Sequence, residues 1–224
     1  RDKEEAEMLA DELDQANRER QTLELATRLE AEKMIQDLPP EDRNHAIVVG
    51  ARGWHPGVVG IVASRISKQY HRPTFVIGED GLGKGSGRSV PGISLVQALD
   101  ASREVIESGG GHDMAAGVGV REENLDAFRA AFTEAVKSQA ENDTLIPKLY
   151  IDAEIDLSEL TLELLDSYEL LRPFGAANPQ PLFMSRNVLV DGTPRVIKDR
   201  HQKFRLAQNG ATRDAIYFNS AELD

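Results

Sequence analysis

The fold is decided by residues 46–77, AIVVGARGWHPGVVGIVASRISKQYHRPTFVI. Ala46–Val49 is a short apolar run that predicts a strand, and the residues after His55 have the apolar spacing of a mostly buried helix. Pro73–Ile77 is a second apolar run and predicts a second strand. A strand, a helix and a strand in succession indicate an α/β domain.

The alternation continues to about residue 140. Ser94 is a good N-cap for a helix that we expect to extend to Ile106. Val118–Val120 predicts a strand, and apolar residues at helical spacing over 125–136 predict a last helix. The sequence therefore predicts a small α/β domain over residues 41–141.

A long connecting helix is predicted over residues 1–40, because residues 1–38 contain neither Gly nor Pro. Pro39-Pro40 ends it. The apolar positions that follow helical spacing on one face are Leu9, Leu13, Ala16, Leu23 and Ala26. We expect the carboxylates of this segment to form a solvated face. The pattern is already helical at Arg1, and no Met precedes it, so we expect a piece of a longer protein.

The pattern changes to short strands after a linker predicted at residues 142–148. We predict strands at residues 149–155, 188–190, 203–207 and 215–218, and one helix at residues 158–171. Short strands separated by turns predict a mostly β domain over residues 149–224, of the oligonucleotide-binding (OB) barrel type. We expect this barrel to be incomplete at Asp224.

Two glycine-rich stretches, both predicted to be loops, carry the candidate site. Gly109–Gly117, GGGHDMAAG, exposes bare peptide groups beside His112, and Gly81–Ser89, GLGKGSGRS, adds polar side chains. The polar side chains of the second stretch are Lys84, Ser86, Arg88 and Ser89. Backbone N–H groups, hydroxyls and guanidinium groups bind phosphate. The alternatives are a flexible turn for the first stretch and a solvated hairpin tip for the second. The second stretch has neither P-loop nor dinucleotide-binding spacing.

The charge is unevenly distributed, although the chain has a net charge of −12. Residues 43–121 contain nine basic and six acidic side chains, and residues 186–213 contain seven and two. A local positive patch can bind phosphate on an acidic protein. The chain has no cysteine, which excludes disulfides and thiolate metal sites and fits a reducing compartment. No apolar run approaches the roughly 18 residues of a membrane span.

Catalytic and metal-binding signatures are absent from the sequence. The five histidines occur in no paired, His-x-x-x-His or Asp-x-Asp context, and we find no nucleophile elbow. We therefore expect no catalytic residue and no metal ligand in this chain. Trp54 suits either a position in the core or stacking on a base.

Several motifs, in order along the chain, resemble the DHH-associated domain of the DHH phosphoesterases. These motifs are Trp54–Arg65, Arg72–Thr74, Gly85–Ser89, Gly110–His112 and Ala115–Gly117. Further motifs resemble the RecJ branch, the single-stranded-DNA-specific 5′→3′ exonucleases. These further motifs are Asn17–Gln21, Pro173–Gly175, Asn178-Pro179 and Pro181–Phe183. The resemblance covers nearly the whole chain.

The resemblance implies that this chain binds substrate and leaves the chemistry to a separate domain. The family's catalytic domain, whose Asp and His side chains hold two Mn²⁺ or Mg²⁺ ions, has no counterpart here. The parent protein would hydrolyse single-stranded DNA, whereas this chain alone would be inactive and bind no metal. Ser86 and Arg88 would hold the terminal phosphate. The other residues implied to hold the strand are Gly110, Gly111, His112, Lys198, Arg200, Lys203 and Arg205, with Arg18 or Arg20 joining them.

Two alternatives stay open at this point. The parent could be a phosphoesterase that acts on short oligonucleotides or small phosphate esters, for which the segment 149–224 would be unnecessary. The chain could also be a nucleic-acid-binding module without an enzymatic parent. We expect single-stranded DNA as the partner, no membrane and a cytoplasmic location, and the sequence assigns no protein partner.

Overall fold

The computed structural model describes residues 3–79 and 82–220, so Gly81 of the second glycine-rich stretch lies outside the described residues. The chain divides into two compact units, Arg1–Pro147 and Lys148–Asp224. Across the described part of the chain, we find no helix with both the length and the apolar composition needed to cross a membrane.

Unit 1 is built on a five-stranded mixed sheet with the order β1-β2-β3-β5-β4. The strands β1 and β2 are parallel, and the remaining neighbours are antiparallel. The elements of unit 1 are α1 (Lys3–Asp37), α2 (Pro40–Arg43), β1 (Ile47–Arg52), α3 (Pro56–Tyr70), β2 (Thr74–Glu79), β3 (Leu82–Arg88), α4 (Leu95–Ala101), β4 (Ser108–His112), β5 (Ala115–Arg121) and α5 (Leu125–Gln139). The predicted α/β class is confirmed.

The two faces of the sheet bury separate cores. On one face, α1 and α3 pack over β1 and β2 through residues such as Ile47, Val62 and Val76. On the other face, α4 and α5 cover a second cluster in which Phe75 meets Phe132 edge to face, with ring centroids 5.1 Å apart. Buried aromatic pairs of this geometry add to the stabilisation from burial alone.

Both glycine-rich stretches form strands, so the prediction of loops is wrong. Leu82–Arg88 is β3, and Ser108–His112 and Ala115–Arg121 form the hairpin β4–β5. Glycine at two positions of β3 is required by packing. A Cβ at Gly85 would lie 2.6 Å from Ile77, and one at Gly87 would lie 2.5 Å from the Phe75 ring. Long-range packing has overridden the low strand propensity of glycine.

The helix α1 buries a different face from the one predicted. Leu9, Leu13 and Leu23 are about half exposed or more, and the buried positions are Glu24, Thr27, Ala31 and Ile35. Glu24 is buried because Arg65 of α3 donates to it at 2.6 Å. The expectation that all the carboxylates of this segment are solvated is therefore wrong.

The starts of two helices match the sequence prediction. His55 caps α3, since its Nδ1 accepts from the Gly57 N–H at 3.0 Å, and Ser94 caps α4 through the Gln97 N–H. The second helix ends at Ala101 rather than Ile106. Trp54 is 5% exposed and donates to Glu30 at 2.7 Å, so the core position is confirmed and base stacking is excluded.

Unit 2 contains short strands and one helix. Its elements are β6 (Ala153–Glu154), α6 (Leu162–Glu169), β7 (Phe183–Met184), β8 (Leu189–Val190), β9 (Arg195–Ile197), β10 (His201–Gln208) and β11 (Ala211–Tyr217). The strand β10 pairs with β8, β9 and β11, and β6 pairs separately with β7. Within the described residues these strands form two separate sheets rather than a closed barrel. The predicted helix 158–171 is a 3₁₀ turn, Leu157–Glu159, followed by α6.

Candidate nucleic-acid interface

Two rows of residues bring both glycine-rich stretches together. Ser86 of β3 pairs with Gly117 of β5, which pairs with Gly110 of β4. In the next row, Arg88 pairs with Ala115, which pairs with His112. Residues two apart on a strand share a face, so all six positions lie on one face of the sheet.

This face is the one on which α3 packs, because Ser86 also pairs with Val76 of the α3 cluster. Gly110, Gly117 and His112 are exposed, and Ala115 is half-buried. We call the surface formed by Gly110, Ala115 and Gly117 the glycine shelf. A Cβ at Gly110 would have no atom within 4 Å, so the shelf is open above this residue. A ligand can approach the bare backbone there.

Arg88 and Ser86 form a hydrogen-bonded pair at one edge of the glycine shelf. The Arg88 Nη1 donates to Ser86 Oγ at 3.1 Å and to the Gly87 carbonyl at 2.7 Å. Since Ser86 accepts from the guanidinium, its own O–H remains able to donate outward. Arg88 is half-buried, and no ion pair of the described residues includes it. The arrangement presents a positive charge and a hydroxyl donor together, as an anion requires.

The hairpin turn next to His112 is fixed to the start of α4. Ser94 Oγ donates to Asp113 Oδ1 at 2.5 Å, and the Leu95 N–H donates to the Asp113 carbonyl at 2.9 Å. The side-chain amide of Gln139 in α5 accepts from the Ser94 N–H and donates to the Ser94 carbonyl. These contacts fix the turn that follows His112, the β4 residue at the edge of the shelf opposite Arg88.

The remaining predicted residues of unit 1 have other partners. Lys84 is exposed and lies on the same face as Ser86. Ser89 Oγ donates to the Ile93 carbonyl at 2.7 Å, so its hydroxyl serves the loop before α4. Arg18 pairs with Asp14, and Arg20 bonds to Asn17 at 3.0 Å, both within α1. The structure therefore brings Lys84, Ser86, Arg88, Gly110 and His112 together on one face, and it gives Ser89, Arg18 and Arg20 structural contacts. Gly111 alternates with Gly110 and His112 and lies on the other face.

The predicted cations of unit 2 lie on and beside β10. Lys203 pairs with Asp214 at 2.7 Å, and Arg205 pairs with Asp191 at 3.3 Å. The hydrogen bond from Lys203 holds the pKa of the Asp214 carboxyl below its ordinary value. Lys198 and Arg200 are exposed in the turn between β9 and β10. Two of the four predicted cations are thus partly neutralised by carboxylates.

Sequence reasoning missed two residues of these surfaces. Arg195 pairs in register with Lys203, and both residues line a cavity of about 330 Å³ together with Arg205. Gly60 of α3 lies directly against Ser86 and Arg88. The position of Arg195 in the same basic segment as the later cations could have indicated this residue. The role of Gly60 is revealed only by the packing of α3 on β3.

The residues present do not fit a catalytic metal site. Among residues 3–79 and 82–220, no group of three or more His, Asp or Glu side chains is arranged to hold an ion.

Two domain families match the chain. The DHHA1 domain matches residues 43–138, and the RecJ OB domain matches residues 151–224. The single-stranded-DNA-specific exonuclease RecJ of Bacillus subtilis is 34% identical over 223 residues, which are 98% of this chain and 28% of that protein.

Two solved structures are similar over 97% of the chain at 30% identity. They are RecJ from Thermus thermophilus in complex with Mg²⁺, with a TM-score of 0.75 and 38% of that chain covered, and with Mn²⁺, with a TM-score of 0.76 and 36% covered. The chain thus spans only about a third of the length of the relatives that it matches.

Proposed function

The chain is RecJ-like and carries a DHHA1 domain followed by a RecJ OB domain, and from this premise we propose that it is the substrate-binding part of a single-stranded-DNA exonuclease. The parent would hydrolyse phosphodiester bonds from the 5′ end with Mn²⁺ or Mg²⁺ ions. We propose that their ligands lie in the part of the relatives that this chain does not cover. A cytoplasmic location belongs to the same proposal, and the lack of cysteine is compatible with it.

The observation that carries the proposal is the Ser86–Arg88 pair beside the glycine shelf. A half-buried guanidinium with no carboxylate partner among the described residues supplies charge for one phosphate. The shelf supplies a surface without side chains, along which a nucleotide strand can lie close to the backbone. We propose that Ser86 and Arg88 hold the terminal 5′-phosphate, and that Gly110, Gly111 and His112 hold the adjoining nucleotide.

Unit 2 would bind the strand farther from its end. Arg195, Lys203 and Arg205 line one cavity of this unit, and Lys198 and Arg200 lie in the turn before β10. Phosphate contacts are non-specific in sequence and weaken as salt rises. We therefore expect unit 2 to add affinity for long strands and little preference for the chemistry of the 5′ end.

The test compares fluorescent single strands that carry either a 5′-phosphate or a 5′-hydroxyl. The chain should bind the phosphorylated strand more tightly than the hydroxyl strand. Arg88→Ala should lower the ratio of the two affinities about tenfold, because the charge-assisted hydrogen bond to the phosphate is lost. Arg121→Ala is the matched control, since Arg121 is an exposed arginine that pairs with Glu107. An Arg88→Ala variant that keeps the full preference would falsify the terminal-phosphate role.

A second measurement addresses the location of the chemistry. The purified chain, incubated with Mn²⁺ and labelled single-stranded DNA, should release no nucleotides. Release that persists through purification from host nucleases would contradict the proposal that the metal ligands lie elsewhere. A chain that binds dinucleotides as tightly as long strands would instead favour a phosphoesterase of short oligonucleotides.

A further inference from the structure

Gly60 of α3 lies against the Ser86–Arg88 pair. A Cβ built on Gly60 would be 3.0 Å from Ser86 Oγ and 3.4 Å from Arg88 Nη2. The distance to Ser86 Oγ is shorter than nine in ten real Cβ contacts, whereas the distance to Arg88 Nη2 is an ordinary van der Waals contact. The backbone of the helix therefore forms one wall of the space in which this pair lies.

The backbone conformation does not require glycine at position 60. The residue lies inside the helix Pro56–Tyr70, and its φ is not among the positive values found at Gly53, Gly92 and Gly111. Glycine in a helix interior lowers stability relative to alanine. The feature that a side chain would disturb here is the space beside Ser86 and Arg88.

That space controls the geometry of the pair. The Arg88 Nη1 reaches Ser86 Oγ at 3.1 Å, and this bond fixes where the guanidinium and the hydroxyl point. A methyl group on residue 60 would displace the Ser86 hydroxyl by a few tenths of an ångström and so change its distance to Arg88 Nη1. Hydrogen bonds weaken steeply when their angle or distance is disturbed.

We propose that Gly60 is a positioning residue for recognition of the terminal phosphate. It acts through the Ser86–Arg88 pair, to which it gives room to present both donors to one anion. The inference rests on the proposed function, since it assigns to α3 a role in the same site. It extends that function by making the preference for a phosphorylated end depend on a helix residue that carries no polar group.

The test uses the full chain with Gly60→Ala and measures binding of the 5′-phosphorylated and 5′-hydroxyl strands. The ratio of the two affinities should fall by about three- to tenfold, as expected when a charge-assisted contact is misaligned. Affinity for the 5′-hydroxyl strand should be unchanged. The melting temperature should be equal or higher, because alanine favours the helix.

Gly57→Ala is the matched control. It makes the same substitution in the same helix with an equally close contact, 3.0 Å from Nδ1 of His55, which caps α3 and does not belong to the Ser86–Arg88 pair. This variant should keep the wild-type ratio. A second pair of variants carries Ser86→Ala with and without Gly60→Ala. Because Ser86 Oγ is the nearest atom, Gly60→Ala should change the ratio less in that background than in the wild type.

The outcomes are distinguishable. If the wild type has no preference for a phosphorylated end, both the proposed terminal-phosphate role and this inference fail. If Arg88→Ala removes the preference while Gly60→Ala retains it, only the role of Gly60 is overturned. A lower melting temperature with an equal loss of both affinities would assign Gly60 to the stability of α3 and would also overturn the proposal.

Discussion

Gly110 and Gly111 are neighbours that lack side chains for different reasons. Gly111 has a φ of 149°, and a Cβ there would lie 2.5 Å from the Ala115 carbonyl oxygen. The hairpin therefore needs glycine at position 111. Gly110 has no such conflict, since its Cβ would point into open space on the glycine shelf. A need for close approach by a ligand would explain glycine at this position.

Substitutions at these two glycines should separate function from stability. Gly110→Val should keep or raise the melting temperature, because valine favours strands, and should weaken binding of single-stranded DNA about tenfold by blocking the shelf. Gly111→Ala should lower the free energy of unfolding by about 1–3 kcal/mol through backbone strain. Thermal unfolding and fluorescence anisotropy measure the two effects. Wild-type DNA affinity in Gly110→Val would show that the shelf does not contact the strand.

At the scale of elements, the sequence predicted the chemistry of β3 but not its strand conformation. The residue types of Gly81–Ser89 pointed to phosphate binding, and Ser86 and Arg88 do share a face. The same glycines suggested a loop. The strand is explained by Phe75 and Ile77, whose side chains occupy the space above Gly87 and Gly85. Such contacts join residues that are distant in sequence, so local propensity could not predict them.

The helix α1 gives the opposite lesson. Its existence followed from the absence of Gly and Pro, and the structure has a helix over Lys3–Asp37. Its buried face did not follow, because the buried positions include Glu24. Periodicity counts apolar residues, whereas here a carboxylate is buried through its ion pair with Arg65. The pairing partner is 41 residues away and has no signal in the local pattern.

An ion pair joins Lys203 of β10 to Asp214 of β11. Asp214 holds Lys203 at 2.7 Å and thereby competes with phosphate for this cation. Asp214→Asn should raise the affinity for single-stranded DNA about two- to fivefold at low salt, with the gain disappearing as salt increases. Asp166→Asn, which removes an exposed carboxylate from α6, is the control. If the wild type and Asp214→Asn bind single-stranded DNA with equal affinity, Lys203 does not contact the strand.

The pH dependence of this pair follows from the lowered pKa of Asp214. A carboxyl whose folded pKa lies below its unfolded value contributes stability above the unfolded pKa and loses it as pH falls through the folded pKa. The ion pair is therefore intact between about pH 6 and 8. Between about pH 6 and 8, the affinity for single-stranded DNA should therefore change no more in the wild type than in Asp214→Asn.

At the scale of the whole molecule, each unit contains one segment in which basic residues outnumber acidic ones. The basic segments 43–121 and 186–213 belong to one unit each, although the chain as a whole has a net charge of −12. The order of an α/β domain and a later mostly β domain followed from sequence pattern. The pairing of strands did not, because register and strand order depend on contacts between distant residues.

Burial predicts that the two units unfold separately. Unit 1 has two apolar clusters, whereas among the described residues of unit 2 the only buried apolar residue is Leu157, which is 3% exposed. Large side chains of unit 2 such as Leu189 and Phe218 are 71% and 65% exposed. Apolar burial is the main favourable term in folding, so unit 2 should unfold at a lower urea concentration.

The only tryptophan of the chain makes this prediction measurable. Trp54 belongs to the core of unit 1, so its fluorescence reports on that unit, whereas circular dichroism reports on both. In a urea titration the dichroism signal should begin to change before the fluorescence does. Addition of single-stranded DNA should shift the first transition to higher urea, because a ligand of the folded state stabilises it. Coincident transitions by both probes would mean that contacts outside the two cores couple the units into one cooperative structure.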